Sequence, residues 1–150
     1  MKLEQAIQSS GFKNEKQKAA LNIMYTAYQI KTFVSQTLKD FGLTPEQFNV
    51  LRILKGKYPD QMCVRDIGQR MVERSSNVPR IIDRLEIKKL VKRSQSGDDK
   101  RETAINLTQA GINLLEMVNP VVEQKQASMT ALEEAELKQL NTLLDAFLKD

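Results

Sequence analysis

Apolar residues recur at steps of three and four through most of the chain, and that spacing predicts helices. From about Glu15 to Phe41 the stripe runs through Leu21, Met24, Tyr25, Tyr28, Phe33, Val34, Leu38 and Phe41, with Gly42 as a natural stop. Residues 1–13 carry few structure signals, although Leu3, Ile7 and Phe12 are available for packing. Thr44-Pro45-Glu46-Gln47 reads as a capping box, with Thr44 at the N-cap and Gln47 three residues on. It opens a helix with Phe48, Leu51 and Leu54 on one face, ending near Gly56–Pro59. A short helix, Val64–Met71, buries Ile67 and Met71. After a turn at 72–75, Ser75 and Ser76 are competent N-caps for a helix reaching Leu90. Val78, Ile81, Ile82 and Leu85 form its buried stripe, and Pro79 is tolerable in the first turn, where N–H groups have no intrahelical partner.

After Leu90 the period changes. Val91–Ser94 and Thr103–Leu107 are short extended segments flanking the polar, turn-rich run Gln95–Arg101, which together predict a β-hairpin. Thr108 caps a long helix to about Ser128, with Pro120 expected to kink it. Thr130 and Glu133 suggest a last capping box before an amphipathic helix carrying Leu137, Leu140, Leu143, Leu144, Phe147 and Leu148. The result is one domain, mainly α, of five or six helices with one small β-hairpin.

Composition removes whole classes of chemistry. The 150 residues contain no histidine and one cysteine, Cys63. Histidine acid–base catalysis, the usual nucleophile–histidine pairs, histidine metal sites and an internal disulfide are therefore all ruled out. Cys63 reads as a small buried residue. The six glycines are too dispersed for a phosphate-binding loop. No cofactor or metal is expected, and no enzymatic reaction is suggested. No run of about 18 apolar residues marks a membrane span, and the first residues lack the apolar stretch of a signal peptide. The expectation is a cytoplasmic protein without a membrane partner.

Charge adds direction. Net charge is +4, with eleven Lys and Arg against six Asp and Glu between Arg65 and Arg101, and twelve against thirteen elsewhere. The whole surplus lies in one central segment, the footprint expected for a polyanion partner. Short helix, turn, helix and hairpin in that order make a winged helix-turn-helix at 44–107. Its second helix, Ser75–Leu90, enters the major groove, and the wing spans Ser94–Arg101. On a helical wheel Asn77, Arg80 and Arg84 group about 120° from the core stripe. Arg pairs with guanine and Asn with adenine there. Ser75 and Ser76 at the helix start suit a phosphate. Lys92, Arg93 and Ser94 at the wing base join the candidate DNA-binding set. Lys100 and Arg101 near the tip are placed for a minor groove, and Asp99 is placed to orient Arg101. Asp83 and Glu86 are near enough to neutralise part of the Arg80 and Arg84 charge.

The stretch Ser75–Leu85, then Lys89-Leu90-Val91-Lys92-Arg93, then Asp99-Lys100-Arg101, then Ile105–Gly111 resembles the MarR (multiple antibiotic resistance regulator) family. That family's pattern is a recognition helix ending in Leu-Val-x-Arg, a wing with Asp-x-Arg, and a strand ending in Leu-Thr-x-x-Gly. Lys89 stands where the family usually has Gly, which suits a left-handed helix end. The resemblance covers essentially the whole chain. It implies a homodimer, with helices from 1–41 and 108–150 interleaved about a two-fold axis and a DNA-binding lobe on each subunit. It also implies Arg101 as a minor-groove finger with Asp99 as its partner. Many relatives release DNA on binding a small aromatic or phenolic effector between these parts; Tyr25, Tyr28 and Phe48 are the candidate lining. Independently of the resemblance, the terminal segments hold more apolar residues than a small core needs, and a two-fold dimer matches a palindrome.

The leading reading is a sequence-specific double-stranded DNA-binding regulator, a ligand-relieved repressor. The alternative is a winged-helix protein-interaction module without DNA binding, against which the charge asymmetry argues. Arg101→Ala is expected to weaken operator binding without unfolding the dimer. Titrations at matched salt check this, and equal affinity would remove Arg101 from the wing's role.

Overall fold

Asn14 starts the first long helix: its side-chain oxygen accepts the Gln17 N–H at 2.9 Å. In this computed structural model, which describes residues 1–95 and 103–148, a one-turn helix α1 (Leu3–Ala6) precedes that long helix, α2 (Glu15–Lys39). The Glu4 carboxylate pairs with Lys18 of α2 at 2.5 Å. Gly42, at φ 68°, then reverses the chain in the left-handed region that glycine enters freely.

The predicted capping box is present. Thr44 Oγ1 accepts the Gln47 N–H at 3.1 Å, and Gln47 Oε1 accepts the Thr44 N–H at 3.2 Å. It opens α3 (Pro45–Lys57), followed by β1 (Met62–Cys63), α4 (Val64–Arg70), α5 (Val78–Ile87), β2 (Val91–Gln95), β3 (Thr103–Leu107), α6 (Gln109–Ala127) and α7 (Glu134–Asp145). The expected hairpin forms, with antiparallel β2 and β3 in register from Val91 opposite Leu107 to Gln95 opposite Thr103. The hairpin gains a third strand that periodicity could not show. β1 is two residues long and pairs with β3, giving the order β1-β3-β2. Cys63 at its end is half-buried rather than buried.

One aliphatic core draws on every element of the central lobe. Leu38 of α2, Leu51 and Leu54 of α3, Ile67 of α4, Ile82 and Leu85 of α5, Ile105 of β3, and Leu115 and Val118 of α6 are all essentially without solvent contact. α6 continues through Pro120. The last cap differs from expectation. Glu133, not Thr130, is the N-cap of α7, paired reciprocally with Glu136, while Thr130 Oγ1 accepts the Leu132 N–H. α7 buries none of its residues in this chain and leaves Leu143 exposed; it ends at Asp145, so Phe147 and Leu148, expected on this helix, lie exposed just beyond it. Among the described residues no helix is long and apolar enough to cross a membrane.

The seam between α5 and α6 is tight. Lys89, one residue past the Lys88 C-cap of α5, has φ 60°, the left-handed position where a glycine would be unstrained. Thr108 caps α6 through the Gly111 N–H at 3.1 Å, and its hydroxyl donates to the Lys89 carbonyl at 2.7 Å. A Cβ on Gly111 would run into the Leu90 carbonyl oxygen and lie 3.0 Å from Leu107 Cδ2. Gly111→Ala is therefore expected to destabilise the fold by about 1–3 kcal/mol, the range for overpacking a close contact. Urea unfolding measures it, and an unchanged midpoint would show that the seam yields.

Candidate nucleic-acid interface

α5 starts later than the serines suggested. Its N-cap is Asn77, whose Oδ1 accepts the Arg80 N–H at 3.2 Å. Ser75 and Ser76 belong to the preceding turn, where the Ser76 N–H is already bonded to the Glu73 carbonyl at 3.1 Å. The Ser76 hydroxyl is buried without a hydrogen-bond partner among the described residues. The helix thus runs Val78–Ile87 rather than Ser75–Leu90. Two N-cap-competent serines preceded a stronger competitor, because Asn77 places Pro79 at the second helical position, where no N–H is required.

The faces of α5 divide as the wheel implied. Val78, Ile82 and Leu85 are buried. Asn77, Arg80 and Arg84 are exposed on the outward side, and among the described residues neither arginine makes an ion pair. Asp83 and Glu86 do not neutralise them. Both instead engage Arg93 of β2: the guanidinium pairs with Asp83 and, at 3.5 Å, with Glu86, whose other oxygen accepts the Arg93 N–H at 3.1 Å. Lys92 and Ser94 are exposed, alternating along β2 with the half-buried Arg93. Asp99, Lys100 and Arg101 lie outside the described residues. A cleft of about 300 Å³ separates the outward side of α5 from the first turn of α3, lined by Arg80, Arg84, Asn77 and Gln47 among others.

A second, larger hollow of about 450 Å³ lies between α2, α3 and the turn before α5. Phe48 lines it, with Ile30, Val34 and Met71. Tyr25 and Tyr28, expected beside Phe48, are not among its lining residues; Tyr25 is half-buried and Tyr28 is exposed on α2. Helical spacing placed all three on apolar stripes but could not say which way α2 turns toward α3. The polar rim went unseen in the sequence. Lys31 bridges Glu46 at 3.1 Å and Glu73 at 2.7 Å, joining α2 to the start of α3 and to the turn. Bonds to Glu73 and then Glu46 raise the Lys31 pKa above its ordinary value, despite desolvation. Burial pushes the Glu46 carboxyl up, but its backbone hydrogen bond and Lys31 outweigh it, so its pKa ends below the usual value. Three charges far apart in sequence carry no local signal of such a contact.

The comparisons with known proteins follow the same geometry. Residues 43–103 match the MarR family. The HTH-type transcriptional regulator MgrA of Staphylococcus aureus is 30% identical over 135 residues, 87% of this chain and 88% of MgrA. Among solved structures, the S. aureus MepR–DNA complex superposes with a TM-score of 0.77 at 26% identity, covering 85% of this chain and 94% of MepR. Bordetella bronchiseptica BpsR, solved to explain regulation of its DNA binding by 6-hydroxynicotinic acid, gives 0.72 at 29% identity over 84% and 96% of the two chains.

Asn77→Ala removes the cap and is expected to cost about 1 kcal/mol. Ser76→Ala loses no hydrogen bond and is expected to leave stability unchanged or slightly higher. Denaturant midpoints for the two variants decide it, and equal losses would move the cap back to the serines.

Proposed function

The chain belongs to the MarR family of transcriptional regulators, and we propose that it acts in the cytoplasm as a homodimeric repressor on a palindromic double-stranded DNA operator, relieved by a small aromatic or phenolic ligand. The observation that carries the reading is the outward side of α5. Arg80 and Arg84 stand exposed and without ion pairs among the described residues, on a helix held to the core by Val78, Ile82 and Leu85. Unpaired guanidiniums on a rigid helix are suited to guanine edges in a major groove. Asn77 keeps its amide nitrogen for an adenine or a phosphate while its oxygen caps the helix. Lys92 and Ser94, with Lys100 and Arg101 of the wing, supply backbone and minor-groove contacts, and Asp99 orients Arg101.

The dimer reading has its own support. α7 exposes Leu140, Leu143 and Leu144, and Phe147 and Leu148 just past its end extend an apolar stripe that a lone subunit leaves in water. Helices from 1–41 and 108–150 form the dimer body, and 44–107 forms the lobe on DNA. The hollow between α2 and α3 is the proposed effector site, with Phe48 as its aromatic wall. BpsR, regulated by a small aromatic acid, supports a ligand of that kind.

Selection of bound sites from random duplex DNA tests the whole reading. The expected product is a palindrome with half-sites about one helical turn apart, ~34–36 Å, bound less tightly as salt rises. Failure to enrich any sequence, or enrichment of a single unrepeated half-site, overturns it.

A further inference from the structure

Arg93 sits on the strand that leads into the wing, yet its side chain turns back onto α5. One terminal nitrogen of its guanidinium pairs with Asp83 and reaches Glu86 at 3.5 Å, and the other donates to the Pro79 carbonyl at 3.4 Å. The Arg93 backbone N–H donates to the second Glu86 oxygen at 3.1 Å. Pro79, Asp83 and Glu86 span two turns of α5, so three successive levels of the helix converge on one residue. Among the described residues this is the one ionic tie between α5 and the hairpin. β2 is in turn laddered to β3 along its whole length, so whatever fixes Arg93 fixes the base of the wing.

The charges involved are otherwise hard to account for. Two carboxylates on a helix facing a polyanion oppose binding. They make sense where they are engaged by a cation whose job is internal. The planar guanidinium is the side chain that can serve two carboxylates and a carbonyl at once, which a lysine ammonium on a flexible stem cannot do in the same geometry.

Resting on the DNA-binding reading above, we propose that Arg93 is a positioning residue rather than a phosphate contact: with Asp83 and Glu86 it locks strands β2 and β3, the base of the wing, at a set angle to Arg80 and Arg84, and thereby sets the preference for operator over random DNA. A phosphate contact contributes equally to every sequence and to the salt slope. A lock contributes only where helix and wing must engage the same site together.

The test uses the full-length protein, the palindrome recovered from the selection above, and a scrambled duplex of the same length and composition. Both affinities are titrated across a range of salt, alongside thermal melts. Arg93→Lys is expected to lose about tenfold on the palindrome, the scale of one charge-assisted hydrogen bond, with little change on the scrambled duplex, in salt slope or in melting temperature. The pair Asp83→Asn with Glu86→Gln provides the second arm. It is expected to weaken palindrome binding while tightening scrambled binding, because two negative charges leave the lobe that meets the DNA. Full rescue by Arg93→Lys, or an equal loss on both duplexes for Arg93→Ala with the slope reduced by about 0.9 per subunit, identifies a phosphate contact and overturns the proposal. A carboxylate pair variant that tightens both duplexes alike also overturns it. Wild-type protein that binds neither duplex is a separate result, which removes the DNA-binding reading and this one with it.

Discussion

Four elements meet at the Leu90 carbonyl. It accepts the Thr108 N–H at 3.2 Å and presses against Gly111, while Leu90's own N–H closes the end of α5 onto the Leu85 carbonyl at 3.0 Å. Here α5 ends, β2 begins, β3 has just ended and α6 starts. The Thr108 hydroxyl completes the knot by donating to Lys89 and accepting from Gly111. Because the carbonyl is shared by a helix end and a helix start, α5, the hairpin and α6 cannot shift independently. The positive φ at Lys89 and the missing side chain at Gly111 follow from that requirement. A residue with an ordinary Cβ fits the first at some strain and does not fit the second.

Much of this was legible in the chain itself. Thr44-Pro45-Glu46-Gln47 announced a helix start because the two reciprocal capping bonds are local. The buried stripe of α5 was legible because Val78, Ile82 and Leu85 repeat with the helix. What escaped was either local competition or long-range contact. Ser75, Ser76 and Asn77 are all good caps in a row, and they differ in where each leaves Pro79 in the first turn. At Thr130 and Glu133 the same competition resolved toward the later residue. β1 escaped because a two-residue strand has no period to detect. The Lys31 bridge to Glu46 and Glu73 escaped because it spans 42 positions to its farther partner. Tyr25 and Tyr28 lay on the right helix, yet the hollow opens past them.

The electrostatics of the lobe show the same lesson more sharply. Proximity in sequence put Asp83 and Glu86 beside Arg80 and Arg84, as neighbours on one helix. In space those carboxylates meet the strand beside them instead. The consequence is a sorting of charge: among the described residues the outward arginines make no ion pair, and the negative groups engage the hairpin. Counting charges along the central segment gives a polyanion footprint, but it takes the fold to separate cations that face outward from one that holds the fold together.

α6 deserves a mechanical reading. Nineteen residues at 1.5 Å each make a rod about 28 Å long. One end is fastened to the end of α5 at Gly111, and the other leads through residues 128–133 to α7 with its exposed apolar stripe. A rod pivoted at its far end by only about 7° carries its near end through roughly 3.4 Å, one base-pair step of a duplex. In the two-fold dimer proposed above, built on α7, the gap between the two α5 helices would be set by leverage. There, a sub-ångström change in packing at the pivot would become a whole step of DNA register at the other end.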